Sequence, residues 1–151
     1  MTSGLKSSIV HLEMDNKTLE QRSYNMSLIH GKDTKPEILV RRYLFSRGLR
    51  FRKNDKRLPG HPDIVFPKYK TVVFINGCFW HGHEGCKYFV MPKSNVEFWQ
   101  HKIQTNIERD EAINIRLREL GWTVRIVWEC ELKTKTRGSV LSDLYNKITS
   151  N

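Results

Sequence analysis

The sequence contains little cysteine, comparatively little acidic charge and no long hydrophobic segment. Three cysteines in 151 residues leave an odd thiol after any pairing, which argues against a disulfide framework and favours metal ligation in a reducing compartment. No apolar run is long enough for a membrane span or for the core of a signal peptide. The sequence therefore indicates a cytoplasmic protein without a membrane partner.

Basic residues outnumber acidic ones by 26 to 16, giving a formal net charge of +10. This balance favours a polyanion as partner, and aromatic residues interleaved with the charge favour nucleic acid. A merely soluble basic surface is the alternative. No internal repeat or linker divides the chain, and 38% apolar residues suffice for one core, which we assign to residues 33–151.

Residues 1–32 lack a periodic apolar pattern and are rich in Lys, Arg, Ser and Asn. They predict a loosely ordered basic arm that binds a partner. Within it, Arg22, Asn25 and Met26 offer a cation, an amide and a flexible apolar side chain. A frayed tail with one exposed methionine is an equally good interpretation.

Residues 72–86, VVFINGCFWHGHEGC, lead a hydrophobic strand into a loop that is rich in reactive side chains. The C-x4-H-x2-C spacing of Cys78, His83 and Cys86 lets this loop offer two thiolates and an imidazole to one tetrahedral ion, the preference of structural zinc. A fourth ligand must come from elsewhere, and Cys130 is the remaining cysteine.

Three other residues of the loop have two interpretations each. His81 could replace His83 as the zinc ligand, because C-x2-H is also a common ligand spacing. Phe79 and Trp80 could be core aromatics. However, they lie in a loop between a metal ligand and a histidine, where neither faces a predicted sheet.

Capping boxes and hydrophobic periodicity predict the element order α, β, β, β, α, β, α, and hence an α/β fold with a mixed sheet flanked by helices. The first helix is predicted to begin with the capping box of Thr34 and Glu37 and to stop at Gly48. A second capping box, residues 94–97, is predicted to open a long helix that ends at Gly121. A last helix is predicted near residues 140–144.

Strands are predicted at residues 49–52, 63–66, 71–76 and 122–128. A polar turn at residues 67–70 makes the second and third strands a hairpin. Pairing Phe66 with Thr71 then places Asp63 opposite Phe74 or Ile75, close to the cysteine loop. On the long helix, Asp110 falls on the apolar stripe, where a carboxylate needs a cation or a proton donor such as histidine.

An aspartate that opens a hairpin, with a glutamate on the preceding helix, resembles the restriction-endonuclease-like nuclease core. Such a core ordinarily has E-x-K on the next strand, whereas residues 74–76 here are Phe-Ile-Asn. Another group must therefore activate water, and His81 is placed to do so.

The stretches RLPGHPDIVF, VVFINGCFWHGH, EFWQHKIQTNIERD and ELGWTVRIVWEC together resemble the very short patch repair (Vsr) endonucleases. These bacterial enzymes nick DNA beside a T:G mismatch left by deaminated 5-methylcytosine. The resemblance extends from about Arg22 to Cys130. It implies a monomer that nicks double-stranded DNA 5′ of the T in a reaction that depends on Mg²⁺. It also implies action at the nucleoid, with mismatch repair proteins as further partners.

The resemblance also implies catalytic roles. Asp63 would bind Mg²⁺ together with the backbone carbonyl of Ile75. His81 would be the base, paired with Asp110, and Glu37 would lie near the site.

The remaining implied roles concern zinc and DNA. Phe79, Trp80 and Met26 would insert into the DNA stack, with Arg22 and Asn25 on the same arm. The structural zinc would be held by Cys78, His83, Cys86 and Cys130. Where the best-known member of the family has Thr-His before GCFWH, this chain has Ile75 and Asn76. Because an amide exchanges no proton near neutral pH, we assign Asn76 a positioning role.

Two other classes of function are compatible with these residues. One is a zinc-stabilised DNA-binding module without catalysis, in which the aspartates are structural. The other is a restriction enzyme that cuts both strands of matched DNA.

Overall fold

The computed structural model describes residues 33–151. The predicted arm, with Arg22, Asn25 and Met26, lies outside this range. Three helices and four strands follow one another in the predicted order: α1 (Lys35–Ser46), β1 (Arg52–Lys53), β2 (Ile64–Phe66), β3 (Thr71–Asn76), α2 (Val96–Glu119), β4 (Thr123–Trp128) and α3 (Arg137–Thr149). None of the helices in the described range is long and apolar enough to cross a membrane.

The four strands form one mixed sheet in the order β1-β2-β3-β4. Strands β1 and β3 are each antiparallel to β2, which lies between them, and β4 is parallel to β3. Helix α2 connects β3 to β4, as a parallel pair requires a crossover of this length. The predicted mixed sheet flanked by helices is confirmed.

Each face of the sheet carries its own apolar core. On one face, Val73 and Ile75 of β3 pack with Val40 and Leu44 of α1 and with residues of α3. On the other face, Val72 packs with Val65 of β2 and with Leu117 of α2. The alternation of side chains along β3 produces this division, since successive residues point to opposite faces.

The predicted capping of the helices is partly correct. At α1, Thr34 accepts a hydrogen bond from the backbone N–H of Glu37 at 3.4 Å, but the Glu37 carboxylate accepts from the backbone of Asp33, at 2.6 Å, and not from Thr34. Gly48 has the expected positive φ of 90°. The capping box predicted at residues 94–97 is wrong, because α2 begins after Asn95, in the left-handed region at φ 52°, without a side-chain cap bond.

The first strand also differs from its prediction. It comprises Arg52–Lys53 instead of residues 49–52. Its position is set by its partner, since Arg52 pairs with Val65 and Lys53 with Ile64, and β2 offers only three residues for pairing. Leu49 is buried against α1 and α3 as part of the core and not of the sheet.

The hairpin has the predicted register. Phe66 pairs with Thr71 and Ile64 with Val73, so the next pair outward places Asp63 opposite Phe74. Asp63 immediately precedes β2 and does not belong to it. The register therefore brings the Asp63 carboxylate to the C-terminal end of β3, where the loop that contains Cys78 and Cys86 begins.

Candidate active site and metal centre

A cavity of about 510 Å³ lies where the ends of β2 and β3 meet α2. It is the meeting point of all the residues predicted for catalysis or for Mg²⁺. Its lining includes Glu37, Asp63, Ile75, Asn76, His81 and Asp110. Glu37 and Asp110 are far apart in sequence. Helices α1 and α2, which carry them, pack on opposite faces of the sheet, and both side chains reach this one cavity.

Asp63 is the carboxylate closest to β3. Its Oδ2 accepts a hydrogen bond from the backbone N–H of Ile75 at 2.7 Å. The pKa of Asp63 is raised to about 7, chiefly because the group is buried; the Ile75 hydrogen bond opposes this effect and the nearby Glu37 carboxylate adds to it. A cation bound nearby would favour the ionised form of this carboxyl group and lower its pKa.

His81 and Asp110 form a close pair on the same cavity. His81 Nδ1 lies 2.5 Å from Asp110 Oδ2, and the two side chains are about one quarter exposed. The contact uses Nδ1 of the ring, so Nε2 is the ring nitrogen that Asp110 leaves without a contact. The predicted partnership of Asp110 with a histidine is observed.

Glu37 lies beneath the cavity, where it is 3% exposed. Its Oε2 accepts from Arg41 Nη2 at 2.8 Å, and Arg41 Nη1 donates to Asp33 at 2.7 Å. Arg41 is itself buried, so its guanidinium group is a positive charge held in a fixed position beside the Glu37 carboxylate. Arg41 was not predicted, although its i,i+4 spacing from Glu37 on a helix was a usable signal.

The four predicted zinc ligands converge at one point. The ligand atoms of Cys78, His83, Cys86 and Cys130 all lie within 4.8 Å of one another. His83 Nδ1 is 3.5 Å from Cys130 Sγ, close to the edge of about 3.6 Å that tetrahedral zinc bonds to nitrogen and sulfur would produce. Three thiols and one imidazole are a donor set for a soft divalent ion.

Strand pairing explains why Cys130 completes the cluster. Asn76 pairs with Trp128 across the parallel strands β3 and β4, so Cys78 and Cys130 each lie two residues beyond one pair. The imidazole of His83 stacks on Trp128 with ring centroids 4.0 Å apart and planes at 2°. His81 contacts Asp110 instead, and His83 is the histidine that lies with the three cysteine sulfurs.

The pKa values of the cysteine thiols are shifted in different directions. Burial raises the pKa of both Cys78 and Cys130. Burial also acts on Cys86, but N–H donation from Tyr88 and hydrogen bonds from the other two thiols outweigh it and lower its pKa. A cation bound among the three sulfurs would displace their remaining protons.

Phe79 and Trp80 are half-buried and rest on Trp99 of α2, which is 2% exposed. The centroid distances to Trp99 are 5.5 Å for Phe79 and 5.9 Å for Trp80, both in edge-to-face geometry. They are thus neither core residues of the sheet nor isolated surface side chains. Asn106, which sequence reasoning missed, is buried in α2 and donates to the Trp80 carbonyl at 2.9 Å.

The chain is similar to proteins of known family. A family model for the DNA mismatch endonuclease Vsr matches residues 14–87. The type II nicking enzyme V.NmeAIP of Neisseria meningitidis serogroup A is 57% identical over 118 residues, which cover 78% of this chain and 84% of that protein. The DNA mismatch endonuclease Vsr of Escherichia coli is 47% identical over 116 residues, 77% of this chain and 74% of that protein.

A further relative, the type II nicking enzyme V.XorIIP of Xanthomonas oryzae pv. oryzae, is 48% identical over 118 residues, 78% of this chain and 86% of that protein. These matches agree with a cavity that holds a histidine–aspartate pair beside a buried carboxylate. The chain therefore belongs to the Vsr family of DNA mismatch endonucleases and is an endonuclease that acts on DNA.

Proposed function

We propose that the protein nicks one strand of duplex DNA 5′ of the T in T:G mismatches that arise from deaminated 5-methylcytosine, and so initiates very short patch repair. The observation that carries the proposal is the pairing of His81 with Asp110 on the same cavity as Asp63. A loop with two partly exposed aromatic residues, Phe79 and Trp80, adjoins this cavity. The protein would act as a monomer.

We assign the core to the restriction-endonuclease-like class. The support is an aspartate at the start of β2, a hairpin to β3, and a glutamate on the preceding helix α1. The lysine that such a core ordinarily carries on the third strand is replaced by Asn76. Asn76 is buried and lines the cavity, where its amide would position a phosphate or a water by hydrogen bonding.

The donor set of the cavity fits Mg²⁺, a hard ion that takes oxygen ligands. Asp63 would hold it together with the Ile75 carbonyl, with Glu37 nearby. The raised pKa of Asp63 supports this fit, because burial without a cation holds the carboxyl partly protonated near neutral pH. Bound Mg²⁺ would polarise the scissile phosphate and stabilise the leaving oxygen.

His81 would take the proton from the attacking water through Nε2. Asp110 would hold the ring by its Nδ1–H and stabilise the imidazolium that forms. This division of roles is supported by the 2.5 Å separation of His81 Nδ1 and Asp110 Oδ2. It also explains how the enzyme could function without the strand lysine.

We assign the cluster of three cysteines and His83 to structural Zn²⁺. Four protein ligands would leave the ion no open position for chemistry. The cluster joins the loop after β3 to the turn after β4. Zinc there would fix the position of the loop that carries both His81 and the two aromatics.

Phe79 and Trp80 would wedge into the DNA stack beside the mismatch. Their contacts with the buried Trp99 support this role, because a wedge must be rigid to unstack a base step that costs a few kcal/mol. Met26 of the basic arm, residues 1–32, would insert into the DNA stack as well, and Arg22 and Asn25 of the same arm would bind DNA.

The proposal is tested by incubating the zinc-loaded protein and Mg²⁺ with a duplex that contains one T:G pair and with the same duplex carrying T:A. Nicking of the T:G duplex alone is expected. Binding without cleavage would instead indicate a zinc-stabilised binding module.

A further inference from the structure

The loop between β1 and β2, residues 54–61, forms one wall of the active-site cavity. Asn54, Lys56, Gly60 and His61 all line the cavity together with Asp63. The only other cationic side chain in the lining is Arg109 of α2, whose Nη2 is 3.8 Å from Asp110 Oδ1. Lys56, in contrast, forms no ion pair with any carboxylate in residues 33–151.

The loop is held by an internal salt bridge. Asp55 is buried at 8% exposure, and its two carboxylate oxygens accept from Arg57 Nε and Nη2, each at 2.9 Å. Asp55 also accepts from the backbone N–H of Arg57 at 3.0 Å. These contacts join the two residues that flank Lys56. The Arg57 hydrogen bonds lower the pKa of Asp55 to about 2, so Asp55 stays ionised and the salt bridge persists at all ordinary pH values.

The same loop is fixed to the proposed metal ligand and to α2. The backbone N–H of Asn54 donates to the carbonyl of Asp63 at 3.2 Å. At the other end, Gly60 has a φ of 75°, and a Cβ there would lie 2.5 Å from Ile113 Cγ2. The loop thus contacts helix α2 too closely for any larger residue, and Lys56 has a defined position relative to Asp63.

The acidic lining of the cavity favours a cation in this position. Three carboxylates, those of Glu37, Asp63 and Asp110, line it, and they repel a DNA phosphate. A Lys ammonium with no carboxylate partner in the described structure is available to offset that repulsion. His61 adds a ring N–H donor on the same wall.

We propose that Lys56 and His61 form a phosphate-binding subsite that holds the DNA backbone beside the cleaved bond. Lys56 supplies from the β1–β2 loop the cation that β3 lacks at Asn76. Asp55 and Arg57 are positioning residues, since they hold the loop and do not face the cavity. The inference rests on the proposed function only in that duplex DNA is the ligand.

The test is the salt dependence of DNA binding by the zinc-loaded protein, with no magnesium added, for Lys56→Ala. Each phosphate contact contributes about 0.9 to the slope of log affinity against log salt concentration. We expect that slope to fall by about 1, with affinity reduced roughly tenfold at 0.1 M salt. Lys68→Ala is the matched control, because Lys68 is an exposed lysine in the turn after β2, at the opposite end of that strand from Asp63. Equal slopes for the two variants would overturn the subsite.

Asp55→Asn tests the positioning role. In the wild-type background, Asp55→Asn should weaken DNA binding. In the Lys56→Ala background it should cause little further loss of affinity, because Asp55 acts by holding Lys56 in position. An equal loss in both backgrounds would contradict that role, and rescue by Asp55→Glu would support it. Failure of the wild type to nick a T:G duplex would reject the mismatch assignment while leaving the slope comparison intact.

Discussion

His81 Nδ1 lies 2.5 Å from Asp110 Oδ2, and this contact joins the loop after β3 to the middle of α2. The contact fixes the orientation of the imidazole on a cavity that also contains Asp63. His81 is the only histidine in the described range that both faces this cavity and pairs with a carboxylate. This arrangement supports the proposed role of His81 as a base that Asp110 holds in place.

Removal of the proposed base should slow the reaction strongly and spare binding. We expect His81→Ala to reduce the nicking rate by roughly 10²- to 10⁴-fold, because this is the usual contribution of a positioned proton acceptor. Binding of the mismatched duplex, measured by fluorescence anisotropy, should remain close to wild type. His101→Ala is the control, since His101 is exposed on α2 outside the cavity.

Asp110→Asn should slow nicking less than His81→Ala does, because it removes the partner that orients the ring and not the base itself. Single-turnover rates of the two variants provide the comparison. Equal or greater damage from Asp110→Asn would count against the proposed division of roles.

The metal cluster should be essential for folding of its loop. Wild-type protein should contain one zinc per chain by elemental analysis, and His83→Ala and Cys130→Ser should lose it. Both variants should melt at lower temperature, since binding of a structural metal contributes to the free energy of folding. His101→Ala should retain its zinc. Fully active wild-type protein without zinc would be incompatible with this assignment.

The pH dependence of stability should reveal the raised pKa of Asp63. Its folded pKa of about 7 exceeds the ordinary unfolded value of about 4, so the folded chain retains a proton that the unfolded chain releases between these values. The associated stability is fully present below pH 4 and is lost as the pH rises to 7. Asp63→Asn is neutral at every pH. As the pH rises through this window in the absence of Mg²⁺, the free energy of unfolding of the variant should therefore increase relative to that of wild type by on the order of a few kcal/mol.

Chemical denaturation at pH 4, 5.5 and 8 measures this difference. Asp143→Asn is the control, because Asp143 is exposed on α3 and pairs only with Lys147 in the described structure. Adding Mg²⁺ at pH 8 should stabilise wild type and leave Asp63→Asn unchanged. A constant stability difference across all pH values would contradict the burial of this carboxyl group as its cause.

The aromatic wedge should affect discrimination more than general affinity. Trp80→Ala should reduce the preference for T:G over T:A duplex by roughly tenfold or more, because unstacking a base step costs a few kcal/mol, and least where pairing is weak. Phe45→Ala, at an exposed aromatic near the C-terminal end of α1, should leave the preference unchanged. If Trp80→Ala retained full preference, recognition would depend on hydrogen bonds to the wobble pair.

The sequence predicted the parts of the site that depend on strand periodicity. Pairing of Phe66 with Thr71 follows from a short polar turn between two apolar runs, and it determines the place of Asp63. Asp110 was predicted to face inward because it lies on the apolar stripe of α2, and it does line the cavity. The spacing of Cys78, His83 and Cys86 likewise indicated three of the residues that converge, and the fourth is Cys130, the remaining cysteine.

Features that depend on the local path of the chain were not predictable in this way. The Ser-x-x-Glu pattern at residues 94–97 favours a capping box, but the loop enters α2 through a left-handed Asn95, which prevents it. Lys56 gives no periodic signal, and its place on the cavity results from the Asp55–Arg57 bridge and from the close approach of Gly60 to Ile113. The approach of Gly60 to Ile113 is a tertiary contact, and no local pattern encodes it.

Strand-resolved mapping of the cut tests the central claim most directly. A duplex with one T:G pair and a different end label on each strand is incubated with zinc-loaded protein and Mg²⁺, beside the matched T:A duplex. The account predicts one nick, 5′ of the mismatched T, with the G-bearing strand and the T:A duplex intact. Cleavage of both strands, or equal nicking of the T:A duplex, would contradict it.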